Sequence, residues 1–162
     1  MDDWSSRDVS KSMLVRSSLV FLVVALLAAT DAAAAPPILG ALQDQAWGNG
    51  ECGAELWRRV PGHDAKVLAV NADAPDRARV NVDGHDVFAT RAGKASTSAN
   101  RRGQRYSEHW KVGSVTIDID YVVTRACPKD ADDCENIEFA ATIRVSDGKR
   151  TQITKATGLS GC

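Results

Sequence analysis

Apolar and polar residues alternate with period two through most of the second half of the chain. In "SVTIDIDYVV", residues 114–123, Val115, Ile117, Ile119 and Tyr121 fall on one face, with Thr116, Asp118 and Asp120 on the other. That is the pattern of a half-buried strand. "NIEFAATIRV", residues 136–145, repeats it with Ile137, Phe139, Ala141, Ile143 and Val145 inward against Glu138, Thr142 and Arg144. Shorter runs "ELWRRV" (55–60), "AKVLAVN" (65–71) and "QRYSEHWKV" (104–112) add further strands. Two Asp-Gly pairs, Asp83-Gly84 and Asp147-Gly148, sit between alternating flanks. Asp-Gly supplies the positive φ of a tight two-residue hairpin turn. About seven or eight strands at short spacing, with no helical period between them, predict a mostly β domain, a small antiparallel barrel or sandwich. The segment "PPILGALQDQAWGNG", residues 36–50, leaves room for at most one short helix, Leu39 to Trp47, between a proline pair and a glycine turn.

The amino end has a different character. "SLVFLVVALLAA", Ser18 to Ala29, is an unbroken apolar run behind Lys11 and Arg16, followed by the small residues of "TDAAAAPP". A run of about a dozen apolar residues is too short to span a bilayer of roughly 30 Å and suits the core of a secretory signal. Residues 1–34 are therefore expected to be a signal peptide, and 35–162 a single domain with no stable membrane anchor after cleavage. The stretch "MDDWSSRDVSKS" ahead of the run carries Asp2, Asp3 and Asp8, whereas translation from Met13 would give a conventional signal.

Cys52, Cys127, Cys134 and Cys162 all lie in the expected mature part, and an even number in an exported chain implies two disulfides. Three pairings are formally open. Cys127 with Cys134, around "CPKDADDC", and Cys52 with Cys162, tying the start of the domain to its tail, are preferred. No C-x-x-C and no His at ligand spacing points to a metal, and no cofactor is implied. "DADDCENIE", residues 130–138, lacks the spacing of a calcium loop, because Cys134 and Glu135 occupy its fifth and sixth positions.

Charge narrows the function. The chain has 20 basic and 21 acidic residues; removing residues 1–34 takes three and four, leaving 20 − 3 = 17 and 21 − 4 = 17, net zero. A nucleic-acid partner calls for a basic excess and is not expected. Catalytic signatures are also missing: there is no G-x-S-x-G or H-E-x-x-H, and the His63-Asp64 and His85-Asp86 pairs are adjacent, so in a strand they point to opposite faces. The chain is not expected to be an enzyme.

The segment with the most chemistry is "RRGQRYSEHWKVG", residues 101–113. In a regular strand Tyr106, Glu108 and Trp110 share one face, and Arg105, His109 and Lys111 the other. Arg101, Arg102 and Gly103 come just before, at the end of the polar connection "AGKASTSANRRG". Guanidinium groups in such a place suit bidentate capture of carboxylates.

"ARVNVDGHDVFAT", the Ser-rich stretch after it and "RGQRYSEHWKVGSVTIDI" together resemble the periplasmic and membrane-bound inhibitors of chicken-type lysozyme. Gly103 and Tyr106 match that family's Gly-x-x-Tyr, and Trp110 and Gly113 its later aromatic and glycine. The family's serine is Arg102 here, and its lysine falls one place early, at Lys111. The resemblance implies a small disulfide-tied antiparallel barrel that inserts a loop into a lysozyme cleft and engages the catalytic carboxylates. The expected function is thus inhibition of a peptidoglycan-degrading enzyme, as a lysozyme-type inhibitor or a periplasmic immunity protein. Arg101, Arg102, Gly103, Arg105, Tyr106, His109, Trp110 and Lys111 are the candidate contact residues. The alternative is a non-catalytic module for an anionic envelope polysaccharide or lipid headgroup.

Overall fold

The computed structural model describes residues 38–46, 52–94, 101–128 and 134–161. The expected signal peptide, residues 1–34, lies outside the described residues, as do Trp47 and Cys162. The strands are β1 (Leu39–Gly40), β2 (Gly53–Val60), β3 (His63–Asn71), β4 (Arg77–Val82), β5 (His85–Arg91), β6 (Arg105–Val112), β7 (Val115–Arg125), β8 (Asn136–Ser146) and β9 (Thr151–Gly161). Every strand from β2 to β9 pairs antiparallel with the next in sequence, and β9 returns to β2, so eight strands close as an up-and-down barrel with β1 added beside β4. No described residue is helical.

Alternation sets the inside of the barrel. Val115, Ile117, Ile119, Tyr121 and Val123 of β7 and Phe139, Ala141, Ile143 and Val145 of β8 are buried, as the period-two reading expects. They meet Leu56, Leu68, Val80, Ala89 and Trp110 from the other side. Eight strands enclose a space that side chains can fill, so this interior is a packed core.

The two Asp-Gly turns differ. Asp83 (φ 47°) and Gly84 (φ 88°) both take positive φ and join β4 to β5 as the expected two-residue turn, with Val82 opposite His85. The second hairpin corrects the expectation: β8 ends at Ser146 and β9 starts at Thr151, so the turn has four residues. The cause is Asp147. Its carboxylate accepts the N–H groups of Lys149 and Arg150 and the Arg150 Nε, and these bonds hold its pKa down at about 2.

The short helix expected from Leu39 to Trp47 is absent over its described part, residues 39–46. Extended partners claim this backbone first. Leu39 and Gly40 pair with Val82 and Asn81, and Ile38 C=O accepts the Asp83 N–H. Leu39 N–H donates to Gln152 Oε1, while its C=O accepts from Arg58 Nη1. Further on, Asp86 accepts the N–H groups of Gln43 and Asp44 and the Asn81 amide. Burial pushes its pKa up, but these bonds and Arg79 outweigh it and leave the carboxyl below its ordinary value.

Cys127 and Cys134 form the expected disulfide, with Cα atoms 5.4 Å apart. At the same end of the barrel, where Asn136 pairs with Gly161, Gly161 also pairs with Gly53, and these two glycines neighbour Cys162 and Cys52 in sequence.

Candidate functional site

The polar connection enters β6 through a turn that is fastened to the barrel. Gln104 N–H donates to Arg101 C=O at 3.0 Å, closing a β-turn in which Gly103 takes φ 83°. Gly103 N–H donates to Val123 C=O at 2.8 Å, and Val123 N–H donates back to Gln104 C=O at 2.9 Å. Arg101 and Arg102 are thus exposed on a short loop whose backbone is locked to β7.

Beyond the turn β6 alternates as its sequence predicts. Tyr106, Glu108 and Trp110 face inward. The Tyr106 ring stacks on Tyr121 with centroids 4.4 Å apart, and Phe139 meets the pair edge-on. Glu108 is held between two donors: Arg91 Nη1 at 2.5 Å and the Tyr121 hydroxyl at 3.0 Å. The Arg91 guanidinium also lies 4.3 Å over the Trp110 ring, and its Nη2 donates to Pro75 C=O. Burial first, and the Glu108 charge second, push both phenols well above the ordinary tyrosine range. Tyr106 and Trp110, two of the candidate contact residues, are therefore anchors inside the barrel; Trp110 is 1% exposed.

The outward set is Arg105, Ser107, His109 and Lys111. His109 Nδ1 lies 2.7 Å from Asp118 Oδ1 on β7, and the Ser107 hydroxyl donates to Asp120 at 2.6 Å. Serine, histidine and aspartate thus share one surface. They form no nucleophile relay, because the Ser107 hydroxyl is given to Asp120 and not to His109. The other two His-Asp pairs also separate: Asp64 takes Arg59, and Asp86 takes the 43–44 backbone. Among the described residues no three His, Cys, Asp or Glu side chains converge on a point where a metal could sit.

Of the eight candidates, the structure places Arg101, Arg102 and Gly103 on the pinned turn and Arg105, His109 and Lys111 on the outer face of β6. Arg101, Arg102, Arg105 and Lys111 have no carboxylate partner within ion-pair distance among the described residues. Sequence reading grouped Glu108 with Tyr106 and Trp110 but missed Arg91 as its partner. A carboxylate between two inward aromatics signals that some buried cation is needed, without saying which. A separate open groove of about 190 Å³ is lined by Asn71, Asp73, Ala74, Arg77 and Phe88, with the Arg77 guanidinium 4.3 Å over the half-exposed Phe88 ring.

Comparison with protein-family models, curated proteins and solved structures finds no match to this chain.

Proposed function

We propose that the chain is an exported protein that binds and inhibits a peptidoglycan-degrading enzyme through the Arg101–Gln104 turn and the adjoining cations of β6. The observation that carries this reading is the combination of four cations lacking carboxylate partners among the described residues with a backbone that is already fixed. A glycosidase of this kind works with two carboxylates in a cleft. A guanidinium pair on a pinned backbone complements such a cleft in charge, and the backbone's share of the ordering cost is met before binding. The Cys127–Cys134 bridge supports an oxidising compartment, where such an enzyme would be met. The sequence resemblance to lysozyme inhibitors points the same way.

The test is turnover of purified peptidoglycan by chicken-type lysozyme and a panel of bacterial cell-wall hydrolases, with and without the protein. At least one enzyme should be inhibited stoichiometrically. Replacing Arg101, Arg102, Arg105 and Lys111 together by Ala should weaken that inhibition by about a hundredfold or more. Stability should change by less than about 0.5 kcal/mol per site, since all four are surface positions. If no enzyme is inhibited and the protein instead binds purified cell-wall glycan at low salt and releases it at high salt, the inhibitor reading fails and the anionic-glycan module replaces it.

A further inference from the structure

The barrel is not sealed along its whole height. The β2–β9 seam runs from Gly53 with Gly161 to Trp57 with Thr157 and stops there. Beyond it β2 continues to Val60 against β3 alone, and β9 continues back to Thr151 against β8 alone. Leu39 floors the wedge between them, with its N–H and C=O engaged by Gln152 and Arg58.

The direction of the backbone groups follows from the register. Ala72 N–H donates to Cys52 C=O, so even-numbered residues of β2 hydrogen-bond towards β3 and odd-numbered ones towards β9. Their partners in β9, residues 157, 159 and 161, therefore face β2. β9 pairs with β8 without a register shift, so the N–H and C=O groups of Thr151, Ile153 and Lys155 point to the same side, where β2 is no longer present. Among the described residues this is an open strand edge, as the short β3–β4 and β5–β6 seams also leave.

The side chains around the edge are specific. Ile153 is 56% exposed, one of two large hydrophobics so exposed among the described residues. Around it lie Arg144, opposite it on β8, Lys155 and, in the preceding turn, Lys149. None of the three has a carboxylate within ion-pair distance among the described residues; Lys155 Nζ donates only to Thr142. The nearby acids are committed elsewhere, Asp147 and Asp83 to Arg150 and Asp118 to His109.

We infer that the Thr151–Lys155 edge of β9 is a docking site for an extended acidic peptide segment of a partner protein, added as a further strand beside β9. Main-chain bonds to residues 151, 153 and 155 hold the segment. An apolar side chain covers Ile153, and carboxylates reach Arg144, Lys149 and Lys155. A second copy of this chain is a poorer occupant, because it would bring the same cations towards one another. The site adjoins the outer face of β6, since His109, Asp118, Arg144 and Ile153 form one row across β6 to β9 and Lys111, Thr116, Ser146 and Thr151 another. The Arg101–Gln104 turn is set apart from it, bonded to Val123 in the row of Phe139 and Gly158, three residues beyond Lys155.

Two fluorescent octapeptides, (Glu-Val)4 and (Lys-Val)4, test this against the exported, purified protein, together with site-resolved amide exchange. In the free protein the amides of Thr151, Ile153 and Lys155 should exchange about a hundredfold faster than those of Gln152, Thr154 and Ala156, which face β8. Saturating (Glu-Val)4 should slow those three by about tenfold or more and leave the others unchanged, and (Lys-Val)4 should bind at least about tenfold more weakly. Ile153→Pro removes one outward donor without touching the β8 ladder and should weaken (Glu-Val)4 about tenfold. Should that variant fail to fold, the pair Arg144→Glu with Lys155→Glu should reverse the preference between the two peptides. The proposal is overturned if the three amides are already protected in dilute free protein, if their protection grows with protein concentration, or if the two peptides bind alike.

Discussion

Glu108 is a carboxylate inside a barrel, and its surroundings show how one residue organises the wall behind the candidate surface. Removing a charge from water costs several kcal/mol unless it is paired and hydrogen-bonded. Arg91 and the Tyr121 hydroxyl supply both, and Arg91 in turn is held by Pro75 C=O and the Trp110 ring. A consequence can be read from the tyrosines, because the chain has only two, Tyr106 and Tyr121, and both belong to this cluster. Their phenols are pushed upward in the folded state, whereas in the unfolded chain they ionise near pH 10. Above that pH the unfolded state holds fewer protons than the folded one, so stability falls as pH rises. In an alkaline titration, tyrosinate absorbance should stay flat past pH 10 and then rise for both residues together with loss of the folded signal. An ordinary titration step in the folded protein would contradict this. Alternation in "RYSEHWKV" made the inward position of Glu108 legible. Its partner was not, because Arg91 lies on another strand and no local pattern links the two.

Among the elements, those with long period-two runs were readable and those defined by a neighbour were not. β7 and β8 follow from their own alternation. The turn after β8 does not follow from Asp-Gly alone, because the Asp147 side chain gathers Lys149 and Arg150 into a longer loop. β1 is extended because β4, Gln152 and Arg58 claim its backbone, which composition cannot foretell. The β2–β9 seam has a similar hidden requirement at Gly158. A Cβ there would meet Glu55 O at 2.2 Å, Leu56 Cδ2 at 2.6 Å and a Phe139 ring carbon at 2.8 Å. A main-chain oxygen cannot swing aside as a side chain can, so the strands must separate. Gly158→Ala should destabilise the domain by about 3 kcal/mol in urea unfolding. Thr157→Ala next to it, on the exposed face, should cost less than about 1 kcal/mol. Similar losses at the two positions would mean that close approach does not govern the seam.

At the scale of the whole molecule the closure of the barrel depends on joining its first long strand to its last. Apart from β1 beside β4, all other neighbours are consecutive in sequence, so β2 with β9 is the longest loop the chain must close. Hydrophobic period fixed which side of each strand faces in, but an open edge and a paired one carry the same alternation. The wedge below Trp57 and Thr157 was therefore invisible in the sequence. The cysteines offered the one clue to the closure. Cys127–Cys134 is formed, while the expected partner of Cys52, Cys162, lies outside the described residues. The register supports their linkage. Gly53 and Gly161 face each other as a hydrogen-bonded pair, each one residue in sequence from a cysteine, Cys52 and Cys162. Closing so long a loop is worth roughly 4 to 5 kcal/mol on the chain-entropy account, against about 2 to 3 for the short bridge. Peptide mapping without reductant should recover one fragment pair joining Cys52 to Cys162 and another joining Cys127 to Cys134. Replacing Cys52 and Cys162 by Ser should then lower the unfolding temperature by about 10 °C or more, and replacing Cys127 and Cys134 by clearly less. Mixed pairing in the map, or a larger loss from the short bridge, would show that the seam between β2 and β9 is held without covalent help.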